Sequence, residues 1–219
     1  MKLGHFWTAL WLLWSLLANA APMSHTACSI ESRSNDITKE QILAIAPDSS
    51  SCDNAPFIKE CATAEVAAKN IAKSFETYKI TEPAEQAAVI ALMAMESGQF
   101  KYNKNHYPGV AGQGTRNMQS PAFNLEYAKS IVELSKDLAS VSSNPEGVLN
   151  ILLKNEAWDF GSGAWFLVNK CTQEVRTQLK SGSEAGWKGY ISTCVGTEAN
   201  QSRKEYWTRA MQALKVSKS

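Results

Sequence analysis

The sequence predicts an all-α domain built around one buried central helix, with an irregular N-terminal extension ahead of it. Three observations carry this. Residues Ala87–Met95 run for nine positions without a polar side chain, and a helix that is apolar all round has to be buried on every side. Other apolar residues recur at helical spacing behind capping residues, as at Ala67, Ile71, Phe75 and Tyr78. No stretch of useful length alternates apolar and polar residues as a half-buried strand does, and no internal repeat stands out.

The chain has 219 residues, with Lys2 near its start, an apolar run over Phe6–Leu17 and a small-x-small site at Ala18-Asn19-Ala20. That order is the pattern of a cleaved signal peptide, so residues 1–20 are expected to be removed and the protein to be secreted. The run is too short for a membrane span, and no second one is long enough. Residues 1–20 carry one base and no acid, so 22 bases and 21 acids become 21 and 21. A net charge of zero argues against nucleic-acid binding and against strong adhesion to anionic surfaces.

Five cysteines, Cys28, Cys52, Cys61, Cys171 and Cys194, follow the signal. Export makes disulfides the default. Cys52 with Cys61 closes a short loop around Pro56, and Cys171 with Cys194 staples two late helices. Cys28 is left over: it is free, paired between chains, or takes the place of Cys52 or Cys61. No Cys/His spacing suggests zinc, and no cofactor is implied.

In chain order, residues 21–60 read as the extension, holding a short helix over Lys39–Ala46 behind the capping-box pair Thr38 and Gln41 and ended by Pro47. The main domain is expected over 61–219. Thr63 caps a helix over Ala64–Tyr78. Pro83 suits the first turn of the central helix, and Gly98 is its left-handed cap, which puts Glu96 in the last turn. Gly109, Gly112 and Gly114, with Pro108, shape a long loop, of the kind that in a compact domain is functional or disordered. Ser120-Pro121 opens a helix whose buried face is Phe123, Tyr127, Ile131 and Leu134. Asn144-Pro145 starts a shorter one through Leu153. Helical pieces over Ala164–Lys170, Thr172–Leu179, Glu184–Cys194 and Ser202–Leu214 complete the set.

Glu96 is the chemical lead. The C-terminal end of a helix dipole is negative, so a carboxylate there is unfavourable. An apolar surround adds to this, and a carboxyl group that holds its proton is what general acid catalysis requires. The alternative is an ordinary acid at a solvated helix end. Burial beside a cleft marks the enzyme; exposure or a salt bridge to a base marks a binding protein.

Glu96-Ser97-Gly98 after a long apolar helix, a Gly-rich loop ending in Met118-Gln119, and Asn124 early in the next helix resemble the soluble lytic transglycosylase and goose-type lysozyme superfamily. Gly161-Ser162-Gly163-Ala164-Trp165 stands where that superfamily has a small-residue helix start lining the cleft. The resemblance covers about residues 84–170 and departs in two places. Arg116-Asn117 precede Met118-Gln119 where Gly-Leu is usual, and Tyr102, His106 and Tyr107 are inserted in the loop.

The resemblance implies a lysozyme-like fold and a secreted monomer cleaving a polysaccharide of β-1,4-linked N-acetylated amino sugars, with Glu96 protonating the glycosidic oxygen. It is peptidoglycan-type as a glycoside hydrolase or transglycosylase; a chitin- or chitosan-directed glycosidase and a non-catalytic glycan-binding protein are the alternatives. Gln119, Tyr102, Tyr107, Arg116 and Asn124 are the candidate substrate contacts, each with a structural role as its alternative. Trp158, Trp165, Trp187 and Trp207 are read as core, with one of them a possible sugar platform. Ser97, with no Ser-His-Asp context, is read as helix-end chemistry. Glu156 and Asp159 are the candidates for a second carboxylate. Without one, the resemblance implies attack by the substrate's own acetamido group, giving an anhydro sugar.

Overall fold

The computed structural model describes Met1 and residues 36–217; the signal segment and Cys28 lie outside the described residues. Among these the protein is helical, with ten α-helices and no strand. Two isolated bridges, Lys104 with Gly114 and Gly114 with Gln119, pin the long loop.

Helix α1 (Lys39–Ile45) has the reciprocal Thr38–Gln41 capping box that its sequence predicts. Ile37, Ile42 and Ile45 are buried in the common core, so this part of the expected extension is packed into the body. Helix α2 (Ala64–Tyr78) runs from the Thr63 cap to a left-handed Lys79. Helix α3 (Pro83–Glu96) is the central one, buried at every position from Ala84 to Ala94. Around α3 stand α7 (Glu156–Lys170), α8 (Gln173–Lys180) and α10 (Gln201–Ala213), while α1 bridges α2 and α10. Helices α4 (Pro121–Lys129), α5 (Ser135–Val141) and α6 (Pro145–Leu152) form a satellite group, α4 packing on α6 and α7.

Three boundaries differ from expectation. The helix opened by Pro121 stops at Lys129; Ile131 reaches the core from the extended link after it, and Leu134 from the short 3₁₀ turn Val132–Leu134 that follows. Helix α9 (Glu184–Gly189) gives way to a π-helical turn over Tyr190–Val195. Helix α7 begins at Glu156, so Gly161-Ser162-Gly163 lie inside it and are buried rather than opening a helix on the cleft. The two glycines serve close packing. A methyl group at Gly161 would lie 2.5 Å from the Tyr127 hydroxyl oxygen, and one at Gly163 would lie 2.9 Å from the Met93 sulfur on α3.

Both proposed disulfides are present. Cys52–Cys61 closes the loop before α2, and Cys171–Cys194 ties the end of α7 to the π turn. Among the described residues no helix is long and apolar enough to cross a membrane.

Gly161→Ala tests the packing of α7. Helix propensity alone favours alanine by about 1 kcal/mol, whereas overpacking against Tyr127 costs about 1–3 kcal/mol. Denaturant unfolding is expected to show a net loss of stability; a gain would mean that α7 and Tyr127 do not meet as described.

Candidate functional site

Helix α3 ends where its burial ends. Ser97 closes it, its hydroxyl donating to the Met93 carbonyl at 2.6 Å and accepting from the Phe100 N–H at 2.9 Å. This is the helix-end role its sequence context predicts. Gly98, Gln99 and Phe100 then follow one another in the left-handed region. Gln99, Phe100, Thr115 and Met118 are non-glycine residues with φ between 47° and 65°. Each such residue costs about 1–2 kcal/mol, and strain of this kind gathers at functional sites.

Glu96 emerges beside this loop as a half-buried side chain and lines two adjoining recesses of about 270 and 370 Å³. Both recesses also include Gln113 and Met118, so together they form one groove that passes over Glu96. One arm is walled by Phe123, Phe166, Val195 and Thr197. The other is walled by Phe57, Tyr102, His106 and Tyr107. Phe57 stacks on the His106 ring with centroids 3.7 Å apart, and Tyr102 lies 5.8 Å from the same ring. Tyr107 is exposed. Flat aromatic faces beside polar side chains suit the apolar and hydroxylated faces of a sugar.

Arg203, in the first turn of α10, donates from Nη1 to Glu96 Oε1 at 2.5 Å. Its Nε is buried without a partner. The carboxylate therefore lies beside a cleft and is also held by a base, so the two marks expected of an enzyme and of a binding protein occur together. The apolar surround expected of Glu96 is interrupted by this guanidinium. Tyr190 is wholly buried nearby, and its phenol is pushed up by burial, with the charges of Glu96 and Glu85 adding to the effect.

The other candidates divide. Tyr102 and Tyr107 line the groove. Gln119 borders it but is buried, donating to Asn124 Oδ1 at 2.8 Å and accepting from Asn117. Asn124 is fully buried and donates to the Gly112 carbonyl at 2.8 Å. It anchors the loop and does not reach the groove. Arg116 is likewise buried: its Nε donates to Asp159 Oδ2 at 2.8 Å and its Nη1 to the Phe100 and Tyr102 carbonyls. It is a bolt between the loop and α7, not a surface cation for a substrate carboxylate.

Asp159, proposed as a second carboxylate, is the other half of that bolt. Burial pushes its carboxyl up, and Arg116 and Asn103 offset part of the effect. Glu156 is exposed and accepts from Asn70 at 3.2 Å. Neither lines the groove. Trp165, Trp187 and Trp207 are core, Trp187 stacked on Trp207. Trp158 borders a recess that shares no residue with the groove, whose aromatic lining is Phe57, Tyr102, Tyr107, Phe123 and Phe166.

Phe57, Gln113 and Arg203 are site residues that the sequence reading missed. Phe57 sits inside the Cys52–Cys61 loop, far from the motif. Arg203 did carry a signal, since a base in the first turn of a helix faces the positive end of its dipole, as unfavourable as an acid at the other end.

No family model matches the chain, and no solved structure matches it. A bifunctional dioxygenase (DOX)-epoxy alcohol synthase (EAS) from Fusarium oxysporum (strain Fo5176) is 45% identical over 169 residues, which is 74% of this chain and 13% of that protein. The chain thus spans about an eighth of the relative it matches.

Arg116→Met leaves the Asp159 charge buried and unpaired, for which about 3–5 kcal/mol of lost stability is expected. Denaturant unfolding measures it, and a change below about 1 kcal/mol would contradict the bolt, since surface pairs fall in that range.

Proposed function

We propose that the protein is an exported enzyme of lysozyme-like fold that cleaves a polysaccharide of β-1,4-linked N-acetylated amino sugars, with Glu96 as the general acid. The observation that carries this reading is the groove that passes over Glu96, the one carboxylate among the described residues of its two arms. A buried central helix that delivers an acid to an aromatic-walled groove is the arrangement expected of that fold. The two disulfides fit an oxidising compartment.

In this reading a glycan strand lies along the groove with a glycosidic oxygen at Glu96. General acid catalysis requires the Arg203 pair to open and the carboxyl group to take up a proton. The carboxyl then passes that proton to the leaving oxygen as the sugar ring gains oxocarbenium character. A second carboxylate would stand about 5 Å away in a retaining hydrolase and roughly 6.5–9.5 Å away in an inverting one. Asp159 is bolted to Arg116 and Glu156 faces elsewhere, which favours attack by the substrate's acetamido oxygen. Glu96, now a carboxylate, can accept the proton from the 6-hydroxyl as that oxygen closes the anhydro ring. Tyr102 and Tyr107 are the sugar-contacting residues, and Gln119 holds the loop with its side chain at the groove's edge.

The activities named for the Fusarium protein belong to a chain of which the match is 13%, and they are not carried over here. A shared stretch of that size within a larger protein fits a portable domain.

The Glu96–Arg203 pair favours a second reading, a secreted glycan-binding protein with no turnover. Purified protein on peptidoglycan, chitin and chitosan separates the two. Under the enzymatic reading Glu96→Gln lowers turnover by roughly 10²–10⁴-fold and leaves binding intact, and peptidoglycan yields products lighter than hydrolytic ones by one water. Full activity of the variant would remove Glu96 as the acid. Binding without turnover by the parent protein would establish the second reading.

A further inference from the structure

Beyond Phe57 the groove does not end. A further cavity of about 570 Å³ shares Phe57 and Lys104 with the arm that holds Tyr102 and Tyr107. Its charged lining is Lys59, Lys104, Lys154 and Glu60. Lys59 is exposed and has no acidic partner among the described residues. Lys104 donates only to the neutral Asn150 side chain, at 2.9 Å. Lys154 pairs with Asp137, both well exposed. Glu60 has its oxygens engaged by His106 Nε2 at 2.9 and 3.0 Å and by the Asn103 N–H at 3.2 Å. The lining thus carries three cations against one carboxylate, with Lys59 and Lys104 in no ion pair among the described residues, over an apolar wall of Phe57, Ile58 and Leu153. On the opposite arm the only ionisable residues among the described ones are Arg203 and Glu96.

A chain with 22 bases and 21 acids has thus gathered net positive charge at the continuation of its groove. We propose that this cavity is a binding subsite for a carboxylate-bearing sugar, so that the preferred ligand is an acidic polysaccharide strand rather than a neutral or cationic one. The proposal rests on the reading of the groove as a glycan site. Continuity with that groove favours a glycan over an acidic peptide, because the strand that crosses Glu96 is led past Phe57 into the cavity. Lysines are point charges on flexible stems, suited to carboxylates that recur along a strand. Apolar floors beside them suit the C–H face of a sugar ring. Cations of this kind set specificity more than total affinity, and their effect falls with salt.

The experiment measures binding to the Glu96→Gln protein, so that cleavage does not interfere. The probes are a hexasaccharide alternating N-acetylglucosamine with glucuronate, a neutral N-acetylglucosamine hexamer, a glucosamine hexamer and a polyglutamate peptide. The acidic hexasaccharide is expected to bind about tenfold or more tightly than either other sugar at low salt, a preference that shrinks at high salt. Lys59→Gln is expected to cut the preference by about threefold or more and leave the neutral hexamer's affinity within about twofold, since Lys59 is an exposed residue outside the arms over Glu96. Equal binding of the three sugars, no binding of any, tighter binding of polyglutamate, or an undiminished preference in the lysine variant each overturns the proposal. Turnover by Glu96→Gln would instead sink the assignment of the acid, which these binding results do not touch.

Discussion

An apolar helix must be covered on all sides, and that requirement organises the molecule. Helix α3 has no polar residue from Ala87 to Met95, so α7, α8 and α10 close around it, and glycines on α7 let that helix come within contact of Met93. Burial of this kind stabilises by about 25 cal/mol per Å² of apolar surface. It also fixes where polar chemistry can occur. Past the buried stretch Ala84–Ala94, water reaches α3 again at its C-terminal turn, and there stands Glu96. The strained loop after Ser97, bolted to α7 through Arg116 and Asp159, folds back over this end and leaves a groove.

Glu96 and Arg203 are each on the wrong end of a helix. The acid faces the negative end of α3 and the base faces the positive end of α10. Packing α10 against α3 brings the two together, and each removes the other's penalty. The pair also couples the groove to the C-terminal helix α10, which packs on α3 and α1. A ligand that engages Glu96 has to compete with Arg203.

Local rules made much of the fold legible. The Thr38–Gln41 capping box, the Thr63 cap, the Pro83 start and both disulfides follow from short-range chemistry, and the structure has each of them. Where tertiary packing decides, sequence reasoning fell short. The sequence reading puts Gly161 and Gly163 at the start of a helix over Ala164–Lys170; they lie inside α7, where Tyr127 and Met93 leave no room for a side chain. Arg116 and Asn124 look like ligand contacts because they are polar and near the motif, but their hydrogen bonds are made inward, to Asp159 and Gly112. Phe57 and Arg203 come from segments far from Glu96 in the chain, and no local pattern announces which distant residue will face a given acid.

The central claim is that a glycan strand lies across Glu96. The most direct measurement is a crystal structure of the Glu96→Gln protein with an N-acetylated amino-sugar oligomer. The account predicts sugar rings in both arms of the groove, with a glycosidic oxygen about 3 Å from the residue 96 side chain and the Arg203 contact broken. Sugar bound elsewhere on the surface, or a groove left empty at saturating oligomer, would contradict it.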